Sequence, residues 1–243
     1  RIVGGVDVQP GIGAWAGIVS IRNYFSAEWT THICGGTLIR PQWVLSAAHC
    51  FRNITNPLSE WAVVAGANFI GELGPHVQVR RLKQVRIHEL YDGHLLYDIA
   101  VVELAQPVVC TPSVQLACLP GPTVRVSPLH CYVAGWGDTY AKTSNRINMK
   151  QTEALLVDTQ LCNSSDWYAG DIQDYNLCAG FPEGGRSTCQ GDSGGPLICK
   201  DAKADYFWEV GLTSWAIGCA RAKRPSVFIS TQYFLNWIVE QMG

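Results

Sequence analysis

Residues Arg186 to Leu197 read RSTCQGDSGGPL. A serine, Ser193, is held between glycines there. A lone serine in a glycine-rich turn is usually only part of the turn, and an isolated serine hydroxyl is a weak nucleophile at neutral pH. It acts only beside a base whose tautomer a third group fixes. The segment GDSGG also fits G-x-S-x-G, the strand-to-helix elbow of the α/β-hydrolases, which place the catalytic histidine after the serine. Here all six histidines, at positions 32, 49, 76, 88, 94 and 130, precede Ser193. That order excludes the elbow and leaves the rest of the chain to name the architecture.

Outward from this stretch the sequence reads as all-β. Short β-rich runs recur with turn residues between them, among them AGIVSI, GTLI, WAVVAGA, DIAVVEL, HCYVAGW, FWEVGLTSW and SVFIS. The chain has 243 residues, enough for one large all-β unit or two small domains with a real core. The Pro-rich stretch LACLPGPTVRVSP predicts a division near residue 120, into 1–119 and 120–243. Helical spacing emerges only at the end. There Phe234, Leu235, Ile238, Val239 and Met242 predict that TQYFLNWIVEQMG is a docked terminal helix. A net charge of −2 gives no global reason for nucleic-acid binding, and no apolar run approaches a membrane span. Ten cysteines without a C-x-x-C pair argue against zinc ribbons and dithiol redox motifs, and for disulfides in an oxidising compartment. Asn53 (N-I-T) and Asn163 (N-S-S) are glycosylation acceptors by pattern and fit a secreted chain.

The base for Ser193 must come from the six histidines. His49, in LSAAHC, stands next to a cysteine that a disulfide could pin. Asp98, in YDIAVVEL, precedes an apolar strand where an acid needs a reason to be present. Together IVGG, CGGTLI, LSAAHC, DIAVVEL, VAGWG, CQGDSGGPL and TSW resemble, in order and over the whole chain, the chymotrypsin/trypsin family of serine proteases. The resemblance implies two packed six-stranded Greek-key β-barrels with a C-terminal helix. It implies Ser193 as nucleophile, His49 as general base and Asp98 as the group orienting it. The N–H groups of Gly191 and Ser193 would form the oxyanion hole, and Ser214, Trp215 and Ala216 would pair with the substrate backbone. The implied partners are protein or peptide substrates. No cofactor or metal is implied, and Glu72 in FIGELG is the one residue pointing toward the calcium site of some relatives.

The same resemblance makes Arg1-Ile2-Val3-Gly4-Gly5 an activation junction. Cleavage before Ile2 would free an ammonium to pair with Asp192. With Arg1 attached the chain reads as an uncleaved precursor, and His32 is expected to hold Asp192 in that form. The family pairing implies Cys34–Cys50, Cys131–Cys199, Cys162–Cys178 and Cys189–Cys219. Cys110 and Cys118 are left to bridge each other or to tether a light chain or propeptide, the second being favoured. CNSSDWYAG, GCARAKRP and FLNWI resemble the acrosins, sperm acrosomal proteases that cut after Arg or Lys. An acrosome-like secretory location follows from that likeness. Their aspartate at the base of the S1 pocket is Ser187 here, and the wall glycines are Ala216 and Ser226, so small or medium aliphatic P1 residues are expected instead. Basic clusters at Arg80, Arg81, Lys83 and Arg86, and at Arg221, Lys223 and Arg224, suggest a sulfated-glycan surface if they converge. The rival reading is a protease-fold binding protein that recognises such a glycan or a coat protein and cleaves poorly.

Overall fold

The computed structural model describes residues 2–9, 15–23, 32–52, 54–71, 74–137 and 148–243. The first barrel uses six strands: β2 (Ile18–Asn23), β3 (His32–Arg40), β4 (Trp43–Ser46), β5 (Trp61–Ala65), β6 (Gln78–Ile87) and β7 (Ala100–Leu104). They close in the order β2-β3-β4-β7-β6-β5, every neighbouring pair antiparallel. Closure leaves no unpaired sheet edge. β4, β5 and β7 are buried nearly throughout, which is why they read as continuous apolar runs rather than as alternation.

The second sheet contains β8 (Val126–Gly135), β9 (Lys150–Glu153), β10 (Leu156–Val157), β11 (Asn176–Ala179), β12 (Pro196–Asp201), β13 (Phe207–Trp215) and β14 (Ser226–Ser230). Its order is β9-β8-β12-β13-β14-β11-β10, with the short β1 (Val6–Asp7) added beside β9. The two ends of that order, β9 and β10, are consecutive in the chain and separated only by Ala154 and Leu155. Counted through this kink, six strands curl back on themselves, a barrel-like sheet opened at one corner.

The termini cross between the halves. β7 ends at Leu104 and β8 begins at Val126, so residue 120 falls in a connection without strands. The first residues nevertheless pack on the second sheet. Ile2 is 1% exposed and joins Cys131, Val133, Leu197, Val210 and Phe228, and Val3 bridges Ser187. The terminal helix, Leu235–Met242, packs back toward the first barrel, with Phe234 and Ile238 in the core that holds Val101, Val102 and Leu104. It begins four residues later than the TQYF start predicted for it. Val239, counted in its apolar stripe, is 47% exposed, whereas Trp237 packs against the core. Among the described residues no helix is long and apolar enough to cross a membrane.

Candidate active site

His49 lies in a short 3-10 helix, Ala48–Phe51, directly after β4. The Cys34–Cys50 disulfide ties that turn to β3. The two sulfurs lie within 4.8 Å of His49, but their bond to each other removes the thiolates a metal would need. Asp98 precedes β7 and is fully buried. Its Oδ1 accepts the His49 backbone N–H at 2.8 Å, and its Oδ2 accepts His49 Nδ1–H at 2.7 Å. Ser214, on β13 of the other barrel, donates its hydroxyl to Oδ2 at 2.5 Å. Three donors thus converge on one buried carboxylate, and the carboxylate fixes the proton on His49 Nδ1, leaving Nε2 free to face the cleft.

Ser193 comes from the second barrel, in the loop before β12. Its carbonyl accepts Gly35 N–H from β3 at 2.8 Å, so one bond between barrels sets its register against His49. His49 and Ser193 line one cleft of about 260 Å3, together with Thr188, Gln190, Ser214, Trp215 and Ala216. Gly191 has φ +88°, and a Cβ there would lie 2.8 Å from Gly137 Cα; glycine is required by both conformation and space.

His32 does not play the part expected of it. Its Nε2–H donates to the Gly191 carbonyl at 2.7 Å, and its Nδ1 accepts from the Ser20 hydroxyl at 2.8 Å, so neither ring nitrogen is left for Asp192. Ser20 Oγ in turn accepts Arg22 Nε–H at 3.0 Å. The ring pins the Gly191–Asp192 peptide. Burial lowers its pKa to about 4, so it remains the neutral tautomer that this chain of bonds requires. Asp192, 1% exposed, accepts Gly137 N–H on Oδ1 and Cys189 N–H on Oδ2, both at 2.9 Å. Burial raises its pKa and these N–H groups oppose the rise. Ile2 is buried nearby, but Arg1, on which the precursor reading turns, lies outside the described residues, as do Asn53 and Glu72.

The three predicted pocket residues do not all face the cleft. Ala216 does. Ser187 and Ser226, 3% and 1% exposed, lie behind it with their hydroxyls committed. Ser187 Oγ donates to the Thr188 carbonyl and accepts Ala220 N–H, both at 2.7 Å. Ser226 Oγ bonds Thr188 Oγ1 at 2.6 Å and accepts Thr188 N–H at 3.2 Å. Thr188, which sequence reasoning passed over, stands in front of both, although its place directly after Ser187 could have signalled it.

The four expected disulfides are present, and Cys110 and Cys118 are unpaired and exposed rather than bridged to each other. Asn163 is half-buried; its Oδ1 accepts Gly170 and Ile172 N–H groups and its Nδ2 donates to the Ile172 carbonyl. Much of the basic charge is spent internally: Lys83 on Glu103, Arg86 over Trp43, and Lys223 on Asp166. The first cluster lies on β6 of the first barrel, the second in the loop before β14 of the other. The family model for Trypsin matches residues 2–238, nearly the whole length, and the chain therefore belongs to the trypsin family of serine proteases.

Proposed function

We propose that the chain is a secreted, acrosin-like serine endopeptidase in which Ser193 attacks the scissile carbonyl. His49 Nε2 takes the serine proton and later passes it to the leaving amine. Asp98 orients His49 and stabilises the imidazolium. The N–H groups of Gly191 and Ser193 receive the oxyanion, aided by the peptide that His32 pins. The carrying observation is the bond series Ser214 to Asp98 to His49, ending in the cleft that Ser193 shares.

P1 is small or medium aliphatic in this reading. Among the described residues no carboxylate lines the cleft to pair with Arg or Lys, and an unpaired buried cation is heavily penalised. The Thr188–Ser226 hydroxyl pair and the Ala216 methyl shorten the space that a large side chain would fill. Activation follows cleavage before Ile2, and Cys110 and Cys118 tether a separate light chain or propeptide by disulfide. The four internal disulfides fit an oxidising, secretory location.

A P1 profile tests the reading. The chain, with Ile2 freed and verified as the new N-terminus, is assayed on peptides bearing Ala, Val, Leu, Phe, Arg or Lys at P1, beside Ser193→Ala. Turnover confined to Ala, Val or Leu and lost in the variant is expected. Preferred cleavage after Arg or Lys would overturn the specificity, and silence on every substrate would turn the reading toward a binding protein on a protease scaffold.

A further inference from the structure

Away from the cleft, one buried acid is left without compensation. Glu209 lies in β13 and is 1% exposed. Its backbone is fully used: the N–H donates to the Cys118 carbonyl at 3.0 Å, and the carbonyl accepts the Thr231 hydroxyl at 2.6 Å. Its side chain is not. Neither carboxylate oxygen has a hydrogen-bond partner among the described residues. Burial raises its pKa to about 8, and the Thr37 hydroxyl, close by but without hydrogen-bond geometry, offsets only part of that rise. A group this costly is expected to have a partner.

The carboxylate does not face solid packing. It lines a cavity of about 250 Å3 whose walls include Thr37, Leu116, Ile198 and Phe207, with the exposed, unpaired Cys118 also on the wall. That volume is below the roughly 300–1,000 Å3 of pockets that take a drug-sized molecule, so the occupant is small or is a single side chain. Among the described residues Glu209 is the only carboxylate lining the cavity, too few hard ligands for calcium or magnesium, which gather several oxygens. One acid at the end of apolar walls matches a monocation on an aliphatic stem, the form of a lysine or arginine side chain. An unpaired thiol beside it, in a chain where eight of the ten cysteines are paired and Cys110 is the other free one, supplies a point of attachment.

We infer that the Glu209 cavity receives one lysine or arginine side chain from a polypeptide joined to Cys118 by a disulfide. The occupant rests on the disulfide-linked chain proposed above; the cavity and its preference for a cation do not. The link itself is an oxidation of two thiols, Cys118 and the partner's, by a small-molecule disulfide that is reduced to two thiols in exchange. Entry of the cation ionises Glu209, whose proton leaves to solvent. Among the described residues the other titratable groups lining the cavity are Cys118 and Tyr206.

Disulfide tethering tests the site. The Cys110→Ser chain is equilibrated near neutral pH with pairs of aminoalkyl and hydroxyalkyl disulfides of matched arm length, and intact mass gives the share of each on Cys118. The amine arm is expected to win by at least about tenfold at the arm length that reaches Glu209, the scale of a charge-assisted bond out of water. Glu209→Gln is expected to remove the preference. Equal occupancy by amine and hydroxyl arms throughout the wild-type series overturns the site, whether or not the variant folds. The occupant is read separately, from the mass of the chain isolated from its secreting tissue without reductant. A peptide containing lysine or arginine on Cys118 supports it. A bare Cys118, with the amine preference intact, overturns the tethered segment and leaves the cavity to a free amine.

Discussion

Thr188 stands between the cleft and two serines that the sequence placed in the pocket. Its backbone N–H and hydroxyl both meet Ser226 Oγ, so the pair acts as one rigid floor rather than as two adaptable hydroxyls. Removing the Ser226 side chain by Ser226→Gly opens space behind Thr188 and frees its hydroxyl to turn. The P1 preference is then expected to move toward larger residues, with kcat/KM for Leu or Phe over Ala rising about tenfold, the usual worth of one or two methylene-sized gains in pocket depth. The buried Thr188 N–H loses its acceptor, which costs about 1–3 kcal/mol of stability. Peptide kinetics and urea unfolding read the two effects separately. A profile unchanged on a folded variant would mean that Ala216, and not this pair, limits the pocket.

Among the elements, the short 3-10 helix with His49 and the loop with Ser193 were legible because their residues are contiguous: LSAAHC carries the histidine and a disulfide cysteine together, and GDSGG carries the serine and its turn. The crossing of the C-terminal helix was not. Ile238 looks like an ordinary apolar residue in sequence, and only long-range packing decides which barrel receives it. The helix stripe was misread at Val239 for the same reason, since a period of 3.6 cannot say which edge of an apolar arc meets the core. Thr188 and Glu209 escaped because each acts through neighbours distant in the chain. The terminal helix now permits a contrast within one turn. Ile238→Ala is expected to cost about 2–5 kcal/mol, because a fully buried branched side chain leaves a cavity between the barrels. Val239→Ala is expected to stay within about 0.5 kcal/mol, because that residue faces solvent. Urea midpoints of the two variants check this, and comparable losses would mean that the helix sits rotated on the barrel.

For the whole molecule, two buried groups set opposite limits on stability against pH. His32 has an ordinary pKa of 6.5 and a folded value of about 4. Its contribution is complete above pH 6.5 and is lost as pH falls toward 4, because the unfolded chain takes up a proton that the folded ring refuses. Glu209 behaves conversely, with an ordinary pKa of 4.5 and a folded value of about 8. Its contribution is complete below pH 4.5 and is lost as pH rises through 8, because the unfolded carboxyl ionises freely and the folded one does so without a partner. Stability is therefore expected to peak where these windows overlap, between pH 4.5 and 6.5, and the alkaline limb belongs to Glu209. Glu209→Gln keeps the shape of the protonated acid and cannot ionise. It is expected to leave unfolding at pH 4 nearly unchanged and to stabilise the chain at pH 8 by an amount of order a few kcal/mol. Denaturant midpoints across that range measure the difference. An equal shift at both ends would mean that the carboxylate is already compensated within the cavity. A gain confined to the alkaline side would show the penalty that a cation entering beside Cys118 relieves, and the wild-type chain carrying the matched amine on Cys118 should then regain the same stability without any mutation.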